Sequence, residues 1–289
     1  MKKLVLLMSL LILSATPSFA VCDYSDMCQT NAYDLSSKAG QMVSNATGAT
    51  FFAEQFAQGI IGRELTKATK DKFKVKVKAY SFQDLVHGRF KSISISGKNL
   101  DINGIYLTSL DLKTLCDFNY VELNKNSIKF KENMIMRFST VISDTDLMKT
   151  MKSEGYLDKL NCVNVEGCGI TFFKLSGADV GIKNNKLYFT IRVTSQLLLV
   201  KPVDIVIATD LKVEEGRIVL TKMNVGNLPK GVDLSNVVYH LSAMNPLTFS
   251  LNVLENSGTK MCIKNVKIVG DKITVSGNIL IPKNSSRSK

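Results

Sequence analysis

The residues from Gly48 to Leu65 place the strongest constraint on what this chain can fold into. On a helix with about 100° between residues, apolar side chains cover about half of the circumference. These side chains are Ala49, Phe52, Ala53, Phe56, Ala57, Ile60 and Ile61. Glu54, Gln55 and Gln58 share a wedge of roughly 100°. A helix with so wide an apolar arc must be covered on most sides, so we predict a long, mostly buried amphipathic helix.

Residues 1–20 have the pattern of a secretory signal peptide. Lys2 and Lys3 precede an apolar run, and Ser18-Phe19-Ala20 is a small-x-small cleavage sequence. The apolar run is too short to span a bilayer, and no later stretch reaches the length of a spanning helix. We therefore predict an exported protein, periplasmic or extracellular, whose mature chain begins with a cysteine-containing segment, residues 21–44.

All six cysteines follow this leader, namely Cys22, Cys28, Cys116, Cys162, Cys168 and Cys262. An even number of cysteines in an oxidising compartment indicates disulfides. The sequence does not choose among the possible pairings, but local spacing favours Cys22–Cys28 and Cys162–Cys168, which leaves Cys116 with Cys262. A metal site is disfavoured, because there is no CxxC motif and both histidines, His87 and His240, are far from any cysteine in sequence.

The periodicity changes after the helix. From Lys72 to Lys78 every even position is lysine, and the odd positions are Phe73, Val75 and Val77. Alternation with a period of two indicates a half-buried strand with one cationic face. Such lysines protect a sheet edge from aggregation or attract anionic headgroups, and the pattern is compatible with both.

Most of the remaining chain has the alternation and the turn residues of antiparallel strands. Asn103-Gly104 is a strong hairpin signal. Helix signals recur at Ser81–Gly88, Asp144–Lys152 and Ser235–Met244. No low-complexity linker divides residues 45–283, so we predict a single domain there and a disordered polar tail, residues 284–289.

The charge and the missing motifs narrow the classes of function. The formal net charge of +12 favours anionic partners, and for an exported protein a membrane surface is a more common partner than nucleic acid. Nucleic-acid modules usually add exposed aromatics to a basic strip, whereas this chain has no tryptophan. No GxSxG, HExxH or P-loop motif occurs. We expect no enzymatic activity, no cofactor, no metal and no nucleic-acid partner.

The order of these motifs resembles the LmeA-like phospholipid-binding family, which is related to the bactericidal/permeability-increasing-type lipid-binding superfamily. The resemblance covers about Gly48 to Pro282. It rests on the first helix, the strand Lys72–Ala79, the segment Ser81–Phe90, the hairpin NLDINGIYL, the helix SDTDLMKTM and the run GNLPKGVDLSNVVYHLSAMNPLTFSL. The cysteines are not part of the family pattern.

The resemblance implies an α+β fold in which a highly curved, mostly antiparallel, barrel-like sheet wraps around the long N-terminal helix, with two shorter helices. Acyl chains would lie between the helix and the sheet. The residues expected to line them are Phe52, Phe56, Ile60, Ile61, Phe73, Val75, Val77, Ile93, Ile95, Phe189 and Ile191. Those expected at a lipid headgroup or membrane surface are Lys74, Lys76, Lys78, Arg89 and Lys91. Periodicity is equally compatible with a core in which these apolar side chains pack only on each other.

The leading functional hypothesis is an exported, non-enzymatic phospholipid-binding or lipid-transfer protein, peripheral to an anionic membrane surface. Its role would lie in cell-envelope lipid or glycolipid homeostasis. The alternative is a disulfide-stapled structural or interaction module of the envelope that binds an acidic polymer or protein through its basic face. A third possibility, a hydrolase or transferase acting on lipid-linked glycans, would require clustered acids that the sequence does not display. The sequence carries no signal for the oligomeric state.

Overall fold

The computed structural model describes residues 22–123, 127–153, 173–195, 201, 203–226 and 259–288. Within these residues there are four α-helices and a short 3-10 turn, Ser25–Met27. The helices are α1 (Lys38–Ala46), α2 (Ala49–Thr69), α3 (Phe82–Val86) and α4 (Asp144–Met151). The helices predicted at Ser81–Gly88 and Asp144–Lys152 correspond to α3 and α4. The signal peptide and the helix predicted at Ser235–Met244 lie outside the described residues.

Two sheets contain the described strands, and every pairing between neighbours is antiparallel. The strands are β1 (Phe73–Ala79), β2 (Arg89–Ile102), β3 (Ile105–Thr114), β4 (Asn119–Leu123), β5 (Ser127–Phe130), β6 (Met134–Ser143), β7 (Phe173–Lys183), β8 (Lys186–Ser195), β9 (Val203–Glu214), β10 (Arg217–Gly226), β11 (Lys260–Val269), β12 (Lys272–Ile281) and β13 (Ser286–Ser288). The α+β class with mostly antiparallel sheets is therefore confirmed.

The larger sheet has nine strands in the order β11-β12-β6-β3-β2-β4-β5-β13, and β1 pairs with β2 off this path. The smaller sheet has the order β10-β9-β8-β7. Neither sheet closes on itself in the described part of the chain, so the prediction of a barrel-like sheet is wrong. The predicted disordered tail instead contains β13, which pairs with β5.

The hairpin between β2 and β3 shows how local sequence sets the register. Asn103 and Gly104 both have positive φ, 53° and 84°, as a two-residue type I′ turn requires. Ile102 consequently pairs with Ile105, and the register continues down both strands. This predicted hairpin is confirmed.

The main hydrophobic core draws on both sheets and on α4. Its fully buried members include Leu100 of β2, Ile205 and Ile207 of β9, and Ile273 of β12. Leu147 of α4 lies in the same cluster, which joins the helix to the two sheets. Since one cluster holds residues from both sheets, they share a single core.

Helix α2 turns its small and polar side toward the larger sheet. Thr50 and Ala53 are buried, whereas Phe52 and Phe56 are 71% and 72% exposed. Glu54 accepts a hydrogen bond from the backbone N–H of Ala79 in β1 at 2.7 Å. The prediction that the sheet wraps around the phenylalanine side of this helix is wrong for the described residues. The physical reason is that small side chains allow the helix backbone to approach β1 closely.

Two disulfides attach the N-terminal segment to the domain. They join Cys22 to Cys262 and Cys28 to Cys116, with Cα–Cα distances of 5.3 and 5.4 Å. The favoured pairings Cys22–Cys28 and Cys116–Cys262 are therefore wrong, and Cys162–Cys168 lies outside the described residues. The segment lies against the last strands, where the Asn278 side chain donates a hydrogen bond to the carbonyl of Cys22 at 3.0 Å. Cys22 and Cys28 therefore each form a disulfide with a cysteine that is distant in sequence, and not with each other.

Candidate functional site

Three consecutive helices present an exposed apolar surface to solvent. We call it the helical apolar surface, and its eight large side chains are between 48% and 72% exposed. They are Met42 and Val43 of α1, Phe51, Phe52, Phe56 and Ile60 of α2, and Phe82 and Val86 of α3. Helix α2 contacts both α1 and α3, so these side chains belong to one group of packed helices. Large apolar side chains that are exposed on neighbouring helices are typical of a site of interaction.

The side of α2 that contacts β1 explains why the phenylalanines point outward. Positions 50, 53, 54, 57, 58, 61, 62 and 65 are all buried or half-buried, which is the spacing of one helix face. A Cβ placed on Gly62 would lie 3.9 Å from Val75 Cγ2 and 4.0 Å from the carbonyl oxygen of Phe73. The helix and the strand therefore lie in close contact at Gly62. Phenylalanine at this interface would move the helix away from β1.

Beneath α2, the face of the larger sheet continues as a partly covered apolar strip. Val75 pairs with Ile95, and Ile95 pairs with Leu112 of β3. Val77 pairs in the same way with Ile93. The two valines are buried, whereas Ile93, Ile95 and Leu112 are only half-buried. This apolar strip lies on the same side of the sheet as α2 and is not fully covered by it.

The structure places the predicted acyl-lining residues in three different environments. Ile61 and Phe73 are half-buried and join the α2–β1 contact region, while Phe52, Phe56 and Ile60 lie on the outer side of the helix. Phe189 and Ile191 lie elsewhere, in β8 of the smaller sheet, where both are buried in the main core.

Sequence reasoning missed several residues of this region. Leu112 of the apolar strip is visible as part of the apolar alternation in β3. Met42 and Val43 belong to α1, whose start is signalled by Ser37. The Ser37 hydroxyl accepts a hydrogen bond from the backbone N–H of Gly40 and caps the helix.

The predicted cationic residues divide into two groups. Lys74, Lys76 and Lys78 are exposed and alternate with the buried valines of β1, so they lie on the face of the sheet opposite to α2. Arg89 and Lys91 are held by protein groups instead. The Arg89 guanidinium lies 5.0 Å from the ring centroid of Tyr120, and the Lys91 ammonium lies 5.2 Å from that of Tyr80.

The lysines of β1 continue into an open groove on the same face. This basic groove has a volume of about 410 Å³. Its cations are Lys74, Lys76, Lys113 and Arg137, and its polar neutral or acidic lining residues are Ser94, Ser96, Ser139 and Asp111. Ile95, Leu112 and Phe138 also line this groove. The groove therefore contains apolar residues of the strip as well as the cations, although the alternation along each strand points the two sets of side chains to opposite faces.

Buried polar contacts fix the chain that leads into the helical apolar surface. Asp84 of α3, which is 1% exposed, accepts hydrogen bonds from the backbone N–H of Ser36 at 2.7 Å and from its hydroxyl at 2.8 Å. Tyr33 donates to Glu132 at 2.7 Å, and Lys283 donates to the same carboxylate oxygen at 3.1 Å. Burial, together with this hydrogen bond to Glu132, raises the pKa of Tyr33 to about 12.

Metal-binding clusters and membrane-spanning helices are not found among the described residues. No three His, Cys, Asp or Glu side chains of the described ranges come together in a metal-binding arrangement. None of the described helices combines the length and the hydropathy that a bilayer-crossing helix needs. The apolar surface, the apolar strip and the basic groove are therefore the features on which a functional assignment rests.

Comparison with known proteins identifies a family. The family model described as LmeA-like phospholipid-binding matches residues 48–278, which is most of the 289-residue chain. No curated protein and no solved structure matches the chain. The matched range begins at the N-cap of α2 and ends within β12, so it includes α2, the apolar strip and the basic groove. The chain belongs to the LmeA-like phospholipid-binding family.

Proposed function

We propose that this protein is an exported, non-enzymatic phospholipid-binding or lipid-transfer protein that acts at the surface of envelope membranes. In this proposal the outer side of α2 and the neighbouring apolar strip cover the acyl chains of a bound phospholipid. Family membership supports lipid as the ligand. The two disulfides are consistent with an oxidising compartment outside the cytoplasm.

The observation that carries the proposal is the exposure of Phe51, Phe52, Phe56 and Ile60 along one helix. Fully burying one such side chain is worth about 1.5–3 kcal/mol. Leaving four of them in water is unfavourable unless an apolar partner covers them during function. A phospholipid supplies that partner without requiring a complementary protein surface.

The dimensions of α2 also suit an acyl chain. The exposed large apolar side chains of this 21-residue helix run from Phe51 to Ile60, a distance of about 14 Å along the helix axis. Each acyl methylene is worth about 0.8 kcal/mol on leaving water, so a sixteen-carbon chain resists desorption by about 13 kcal/mol. A carrier must therefore contact much of the chain length, and in this proposal the apolar strip of the sheet adds to the contact that α2 supplies.

The proposed function is tested by extracting lipid from purified, export-processed protein and identifying it by mass spectrometry. We expect phospholipid in a defined ratio to protein, retained through gel filtration. A protein of the same preparation that has been stripped of lipid should take up phospholipid from vesicles. Lipid-free protein that neither takes up phospholipid nor associates with vesicles would overturn the proposal.

A further inference from the structure

We propose that the basic groove binds a phosphate-bearing anion that has two anionic groups about 10 Å apart. Its cations lie on the face of the larger sheet opposite to α2, and Ile95 and Leu112 of the apolar strip also border the groove. The anion site is inferred from the geometry of the groove itself and does not depend on the proposed function. Three features support the site: the register of four neighbouring strands, the lack of acid partners in the described residues and the chemistry of the lining groups.

The strand register aligns the cations in a row across the sheet. Lys76 of β1 pairs with Ser94, Ser94 pairs with Lys113, and Lys113 pairs with Arg137 of β6. Residues that are directly opposite in antiparallel strands point to the same face, and neighbouring strands are about 4.8 Å apart. Lys113 and Arg137 are therefore immediate neighbours, while Lys76 lies two strands away from Lys113. Lys74 lies two residues before Lys76 on β1 and therefore points to the same face beside it.

The groove consequently has a pair of cations at each end. Lys74 and Lys76 form one pair, and Lys113 and Arg137 form the other, with the serines of β2 between them. In the described part of the chain, none of these four cations forms a salt bridge with an acid. Asp111 is the single acidic side chain in the lining, so the groove keeps a strong positive charge.

A second groove on the same protein provides the contrast. Its volume is about 330 Å³ and it also contains lysines, including Lys212 and Lys222. There, Lys222 lies 3.5 Å from Asp210, and Lys212 lies 3.9 Å from Glu214. Two of the three lysines in this second groove, all but Lys267, are thus paired with neighbouring acids. The basic groove differs because its charges are left available to an external anion.

The side chains of the basic groove match phosphate in particular. Like charges directly opposite each other in a sheet are unfavourable, and an anion between Lys113 and Arg137 removes that repulsion. The planar guanidinium of Arg137 can donate two hydrogen bonds to one phosphate. Serine hydroxyls donate further hydrogen bonds, and Asp111 can accept one from a hydroxyl of the ligand. These groups fit a phosphate ester better than they fit a carboxylate polymer without hydroxyls.

The test uses isothermal titration of the full mature chain with a short linear inorganic polyphosphate at physiological salt. The groove variant is Lys113→Gln/Arg137→Gln, and the matched control is Lys267→Gln/Lys272→Gln. The control removes the same charge from exposed positions on β11 and β12. We expect the groove variant to bind about tenfold more weakly and the control to bind within twofold of wild type. All four positions are exposed, and circular dichroism verifies that both variants are folded.

Vesicles of phosphatidylglycerol and of phosphatidylcholine distinguish the source of the phosphate. If the groove variant also loses binding to phosphatidylglycerol vesicles, the ligand is an anionic lipid headgroup. If only polyphosphate binding falls, the ligand is a soluble phosphate. The inference would be overturned if the wild-type protein does not bind polyphosphate, or if the groove variant and the control lose affinity for polyphosphate equally. Either result leaves the lipid-extraction test of the proposed function unaffected.

Discussion

The double variant Phe52→Ser/Phe56→Ser is expected to bind phospholipid vesicles about a hundredfold more weakly than wild type while keeping its thermal stability. Burying one phenylalanine contributes about 1.5–3 kcal/mol, and every 1.4 kcal/mol is about a tenfold change in affinity. Both rings are more than 70% exposed, so the fold loses little packing when they are removed. Vesicle co-sedimentation measures the affinity, and a thermal melt measures the stability.

The matched control is Met27→Ser/Val269→Ser. Both side chains are exposed large apolar groups, at 51% and 57%, but lie outside the helical apolar surface. We expect the control to bind vesicles as wild type does. If both double variants lose affinity equally, the effect comes from general surface hydrophobicity, and the assignment of α2 to lipid binding is wrong.

Replacing Cys28 and Cys116 by serine is expected to lower the free energy of unfolding by about 2–5 kcal/mol. The two cysteines are separated by 88 residues, and a cross-link that closes so long a loop strongly restricts the unfolded chain. Cys116 is also buried beside Ile135 and Leu280, so the serine hydroxyl adds a desolvation cost. Denaturant unfolding under non-reducing conditions measures the change.

Peptide mapping of the oxidised protein provides the accompanying control. We expect cross-linked peptides that contain Cys22 with Cys262, and Cys28 with Cys116. Detection of a Cys22–Cys28 link in folded protein would contradict the assignment, and so would a Cys28→Ser/Cys116→Ser variant as stable as wild type.

Local sequence pattern was sufficient to predict several elements of the larger sheet and the start of helix α4. The lysine alternation at Lys72–Lys78 predicted both the strand and the residues on each of its faces, because a period of two assigns alternate side chains to opposite sides. Asn103-Gly104 gave the hairpin, because its residues tolerate positive φ. Ser143 gave the start of α4 through a capping box with Asp146, which the structure contains. In each case the determining interaction lies within a few residues of sequence.

The orientation of α2 could not be derived in this way. The helical wheel identifies an apolar arc but not which part of the surrounding protein approaches it. The approach to β1 is decided by the small size of Ala53 and Gly62 and by the hydrogen bond from Ala79 to Glu54, which joins residues 25 positions apart. Hydrophobicity therefore predicted that the phenylalanines would be buried, whereas close backbone packing left them exposed.

The disulfide pairing and the basic groove could not be predicted from sequence either, because both depend on contacts between residues that are far apart in the chain. Spacing favoured the nearest cysteines, but the path of the N-terminal segment along β11 and β12 determined which sulfurs meet. Similarly, the β1 lysines were visible in the sequence. Lys113 and Arg137 became part of the groove only through pairing of β3 with β6, which no local pattern specifies.

The most direct measurement of the central claim is the fluorescence of a Phe56→Trp variant. The chain has no tryptophan, so all indole emission would come from the outer side of α2. We predict a blue shift on addition of phospholipid vesicles, and strong quenching when the acyl chains carry bromine. A Val269→Trp variant should show neither effect. Emission from position 56 that stays at the wavelength of water-exposed indole and is unquenched, in protein that does bind lipid, would contradict the account.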